Sequence, residues 1–202
     1  MALFLFLAIF LQQGFGFTPL QAGLTTIPFP AGVLIASVLN GRLGSRLHRQ
    51  RIVVGALVLL AGMSWLRLIV QGVGDAVDHW LFLAPLFVSG LGMGIAVAPL
   101  MQTALAGVAP QDAGSGAGAL QSFQQLGGAF GIAIAGQIFF SSLAGGFAAG
   151  AAPHPAFIGA LAAALVYSIF SFLSVALLVV FLKPPARHGA PQAAGAAVSV
   201  EA

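Results

Sequence analysis

Side chains able to do chemistry are few in this chain, and most of them are amides. Gln121 and Gln125 stand four residues apart, so a helix puts them on one face, with Gln124 on the neighbouring stripe. Gln102 lies upstream, and Gln12 and Gln13 form a pair near the amino end. An amide donates and accepts hydrogen bonds without titrating, so this set suits recognition of polar groups on a substrate rather than proton transfer. The plainer reading is an interhelical hydrogen bond for Gln102, Gln121 and Gln125, and a wetted helix end for Gln12 and Gln13.

Other chemistry is excluded by what is missing. The chain has no cysteine, which removes disulfides, thiolate metal sites and cysteine nucleophiles. Asp75, Asp78, His79 and His154 lack the constrained spacing of metal ligands, so solvated loops and no metal site are expected. The glycine runs follow no strand and precede no Gly-Lys-Ser/Thr, so they are not phosphate loops. No acid, histidine or nucleophile pair falls within an apolar run, so an enzyme is not expected and no cofactor is implied. Arg67 is the only charge inside such a run; five residues from Gly72, it is expected to snorkel to the membrane interface.

The elements that carry these residues follow from composition. Of 202 residues, 59% are hydrophobic and 5% charged, with a mean hydropathy of +1.05. Soluble domains carry about a quarter charged residues, so this is an integral membrane protein. Backbone groups in hydrocarbon must be satisfied internally, and continuous apolar runs without period-two alternation select helices over a barrel. A pI near 10.7 resembles a nucleic-acid signal, but it arises from a net charge of only +3. Retention on one membrane face, against lipid and not nucleic acid, accounts for it.

Six helices are expected, at about residues 1–16, 19–40, 52–70, 81–105, 113–142 and 156–182, with a disordered tail over 183–202. Thr18 and Pro19 read as a cap and first-turn proline, and Pro28 and Pro30 as a kink in the second helix. Gly90 and Gly94, and again Gly127 and Gly131, have the GxxxG spacing of close helix packing. The first helix is short for a bilayer and opens without the charged region of a signal peptide, so a carboxyl portion of a longer chain is expected.

Orientation is read from Gly41 to Arg51, where Arg42, Arg46, Arg49 and Arg51 supply four of the seven Lys and Arg residues. A cytoplasmic position for this loop leaves all of them but Arg67 on the cytoplasmic side, the carboxyl terminus included.

The segment Gly41-Arg42-Leu43-Gly44-Ser45-Arg46-Leu47-His48-Arg49 resembles the loop signature of the major facilitator superfamily, with Ser45 at its Asp position and His48 at a Gly. Leu11 to Gly23, Gly107 to Gly114 and Gln125 to Ala129 resemble its fourteen-helix drug/proton antiporter branch. The resemblance covers the carboxyl six-helix half. It implies an all-α membrane bundle of two inverted three-helix repeats, in which the first helix of each repeat lines a cavity and the second faces the other half.

It further implies proton-coupled efflux of small lipophilic compounds by alternating access in the cell membrane, with a missing amino-terminal half as partner. No Asp or Glu lies in any span, so the coupling carboxylates would belong to that half. The basic loop reads equally as a latch, its arginines on acidic helix ends or lipid phosphates, and as a topological marker. A non-transporting helical partner that assembles with another chain is the alternative function.

Overall fold

The computed structural model describes residues 2–42, 48–74 and 77–181, and every regular element among them is a helix. Helix α1 (Ala2–Ile9) continues into a π-helical turn, Phe10–Gly14, and ends where Gly16 adopts φ +69°. That conformation costs a residue with a Cβ about 1 kcal/mol or more, and glycine nothing. Helix α2 (Pro19–Thr26) then opens on a capping box. The Gln21 backbone N–H donates to Thr18 Oγ1 at 3.3 Å, and the Thr18 backbone N–H donates to Gln21 Oε1 at 3.0 Å.

The expected kinked helix over 19–40 is two helices. Pro28 has no N–H to continue α2, so the chain breaks at Ile27 and resumes as α3 (Pro28–Arg42). Together they make one span, Pro19–Gly41. Helix α4 (His48–Gly72) begins before the expected 52, because hydropathy marks where lipid ends and not where hydrogen bonding ends. Arg49 and Arg51 therefore ride on a helical turn, not in a loop.

Helix α5 (Trp80–Leu105) keeps Pro85 and Pro99 inside it, and a 3-10 turn, Pro110–Asp112, leads to α6 (Ala113–Ala148). At 36 residues α6 outruns the expected 142. Its terminator is Gly150 at φ +77°, where Ala151 N–H donates to Gly146 O and Gly150 N–H to Phe147 O, both at 3.0 Å. Helix α7 (Pro153–Phe181) starts on prolines whose missing N–H groups would have had no partner in a first turn. The anticipated loop over 143–155 shrinks to 149–152.

Among the described residues five helices are long and apolar enough to cross a membrane, and Ala2–Gly14 is a shorter apolar helix. Two kinds of packing hold them. Large side chains of α1, α4, α5, α6 and α7 form one core, with Phe10, Leu66, Phe82, Phe139, Leu161 and Leu165 at most 1% exposed. Phe6 stacks on Phe139 at 5.0 Å between ring centroids. Elsewhere α5 packs backbone to backbone, against α3 on one side and α4 on the other. A Cβ on Gly94 would stand 2.6 Å from Ala36 Cβ and 2.7 Å from Val33 O; one on Gly55 would stand 2.7 Å from Gly92 O.

Helix α6 is the exception. It packs on α7 through its second half, but every residue from Gln121 to Phe130 is exposed. Only 11% of its span is buried, against 39% for α4 and for α5.

Candidate substrate path and basic-end polar cluster

The predicted glutamines fall in separate places. Gln12 and Gln13 lie in the π turn that follows α1, Gln12 partly buried and Gln13 exposed. A π turn shifts the register of the side chains around it and often marks a functional position. It is held from outside: Gly14 is pressed against Phe157, and the Phe15 ring stacks on His154 at 4.7 Å. Phe10 of the same turn faces Phe82 near the start of α5, so this pair sits at the end of the bundle away from the arginines.

Gln121 and Gln125 lie on the bare first half of α6, both exposed and without a hydrogen-bond partner among the described residues. Gln124 does take one, donating from Nε2 to Met101 Sδ of α5 at 2.9 Å. This contact places the α6 glutamines towards the basic end. Gln102 is one residue beyond Met101, and it lines a pocket of about 340 Å³ with Ser37, Asn40, Gly41, Arg51, Ala98 and Pro99. The amides thus form no single site: two lie at one end, and the rest are spread over α5 and α6 at the other.

The pocket's polar centre is a residue that the sequence reading passed over. Asn40 is 9% exposed and donates from Nδ2 to Gly94 O at 2.7 Å and to Ile95 O at 3.3 Å. Arg51 of α4 donates to the Asn40 main-chain oxygen at 3.1 Å and also to Asn40 Oδ1. A signal was present. Gly32, Ala36 and Asn40 recur every four residues and are all buried, a small-small-polar stripe along α3 that meets Gly90 and Gly94 of α5.

The other expected residues are placed as follows. Gly41 and Arg49 lie at the basic end, Arg49 exposed. Leu43, Arg46 and the Arg42 side chain lie outside the described residues, as does Asp75. Gly90 and Gly94 face Phe29 and Val33 of α3. Gly127 and Gly131 have nothing within 4 Å of where a Cβ would stand, so they meet no neighbour among the described residues. The reason is the bareness of α6 itself. Arg67 is partly buried, its Nε enclosed and without a hydrogen-bond partner among the described residues. Asp78 Oδ1 accepts from Trp80 N–H at 3.1 Å at the start of α5 and lies 3.8 Å from His79 Nδ1. His154, on Phe15, belongs to a different element. Among the described residues no group of three His, Cys, Asp or Glu is close enough to hold a metal ion.

Known proteins match this chain in sequence. The chain is 37% identical over 140 residues to a probable actinorhodin transporter of Streptomyces coelicolor, covering 69% of this chain and 24% of that protein. It is 36% identical over 135 residues to the puromycin resistance protein pur8 of Streptomyces alboniger, covering 65% and 26%. A multidrug resistance protein B homolog of Mycobacterium tuberculosis is 32% identical over 133 residues, covering 65% and 24%. The matched part is about a quarter of each relative's length. The family model described as Major Facilitator Superfamily matches residues 1–202. With its all-helical architecture and its apolar spans, this multi-pass membrane chain belongs to the major facilitator superfamily, whose members are transporters and not enzymes.

Proposed function

We propose that the chain is the carboxyl six-helix half of a secondary transporter that exports small lipophilic compounds by alternating access. The observation that carries this reading is the bare first half of α6, which holds Gln121 and Gln125 beside exposed phenylalanines. A stretch exposed at every residue from Gln121 to Phe130, with Phe123 at 73% and Phe130 at 68%, has packing still to make. Lipid would satisfy the phenylalanines but not the amides. An amino-terminal half across a substrate path would satisfy both. Helix α3 offers a similar face, with Leu34 and Val38 exposed. These are the second helices of the two repeats, where the family likeness puts the contact between halves.

Export as the direction is supported by the name of a further relative, the cephamycin export protein CmcT of Amycolatopsis lactamdurans, and by that of the puromycin resistance protein. An apolar path lined by a few amides selects for lipophilicity and hydrogen-bonding capacity rather than for one compound. Proton coupling is part of the proposal, and the protonated group would lie in the other half, because no Asp or Glu of this chain lies in a span. The end that carries Arg49 and Arg51 is taken as cytoplasmic in the inner membrane.

The test is accumulation of a fluorescent lipophilic cation in cells expressing the complete gene, as wild type and as Gln121→Leu/Gln125→Leu. The wild type should lower accumulation, and the double variant should change which of several such compounds are exported. Unchanged accumulation with protein present in the membrane would favour the helical-partner function.

A further inference from the structure

We infer that Asn40 and Arg51 form a polar pin that substitutes for the hydrogen bond missing at Pro99, and so hold the basic ends of α3, α4 and α5 together. The argument begins with the proline. In a regular helix the N–H of residue 99 would donate to Ile95 O, and Pro99 has none. An orphaned carbonyl inside a membrane bundle is costly unless a neighbour supplies a donor. Asn40 of α3 supplies it, its Nδ2 reaching Ile95 O at 3.3 Å and Gly94 O at 2.7 Å.

The amide must point this way. Both carbonyls only accept and the guanidinium of Arg51 only donates, so Nδ2 has to face α5 and Oδ1 has to face Arg51. Arg51 thereby fixes the orientation of Asn40. Its second bond, to Asn40 O at 3.1 Å, satisfies one of the last carbonyls of α3. Both are positioning residues: the turn of α5 before Pro99 is the element they position, and the 340 Å³ pocket beside them is the space that opens if α3 and α5 part. Thr103 Oγ1 donates to Pro99 O at 2.8 Å, a different carbonyl, and so does not replace the missing donor.

This pin stands on the packing of three helices and not on the transport reading, so its test does not measure transport. The full-length gene product carries Ala98→Cys as a probe, a residue that lines the pocket. Labelling by a membrane-impermeant maleimide and yield of folded protein are measured for Asn40→Leu, Pro99→Ala and the double variant. Leucine fills the volume of asparagine without its bonds. Asn40→Leu should raise labelling about threefold, the population shift expected for one interhelical hydrogen bond of average strength.

Pro99→Ala should cancel most of that rise, because the new N–H at 99 takes Ile95 O and leaves Asn40 with less to do. Arg51→Leu should raise labelling in the same direction. If Asn40→Leu prevents folding, recovery of the protein by Pro99→Ala supports the pin equally. Additive effects, an Asn40→Leu protein labelled no faster than wild type, or a folding defect that Pro99→Ala leaves untouched would overturn it.

Discussion

Gly94→Ala should open the seam between α3 and α5, and its cost can be worked from the geometry. The new Cβ would stand 2.6 Å from Ala36 Cβ, whereas two carbons rest at about 3.5–4.0 Å. The helices must therefore separate by about 1 Å along this line. Val33 O at 2.7 Å blocks escape on one side, and it is backbone, which cannot rotate away. Overpacking of a tight core costs about 1–3 kcal/mol. For a chain of this length each kcal/mol lowers the thermal midpoint by about 2–4 °C, so a fall of about 2–12 °C is expected. Gly159→Ala is the control, since nothing lies within 4 Å of its Cβ position. Purified protein heated in detergent, with the surviving monodisperse fraction read by size-exclusion chromatography, gives both midpoints. If Gly94→Ala melts with Gly159→Ala, the backbone-to-backbone packing of α5 is refuted.

Three further outcomes follow from single residues. Thr18→Ala removes the α2 capping box and should cost about 1 kcal/mol, seen as a lower thermal midpoint; no change would mean that Gln21 and water replace the cap. Gly16→Ala forces a Cβ into φ +69° and should also cost about 1 kcal/mol although the space around it is open, which separates backbone strain from packing in the same melting assay. Arg67→Met keeps the apolar stem and removes an enclosed Nε that has no partner, so it should be neutral or stabilising by about 1 kcal/mol; a clear loss of folded protein would reveal a partner for the charge.

Much of this architecture is legible in the sequence where a single residue decides a local outcome. Thr18, Pro19 and Gln21 announce the start of α2, and Pro28 announces a disturbance, although a missing N–H alone does not say whether a helix bends or stops. The apolar spans are readable because lipid rewards them, but helix ends are not. Helix α4 gains the polar turn that holds Arg49 and Arg51, and α6 runs past Gly145 and Gly146 to Gly150, since only the backbone conformation separates a terminating glycine from an internal one.

The candidate site was harder to see. Isolated glutamines draw notice in an apolar chain, yet Asn40 matters through a proline far along the sequence, on a helix whose contact with α3 no local pattern states. Gly127 and Gly131 show the converse. Their spacing advertises close packing, and the described residues contain nothing for them to pack against.

Transport by the complete protein in sealed vesicles tests the central proposal most directly. Purified full-length protein is reconstituted, a pH gradient is imposed, and uptake of a fluorescent lipophilic cation is followed with and without a protonophore. The account predicts uptake that depends on the gradient, collapses with the protonophore and weakens in Gln121→Leu/Gln125→Leu. Folded, inserted protein that moves no such compound under either gradient direction would contradict it.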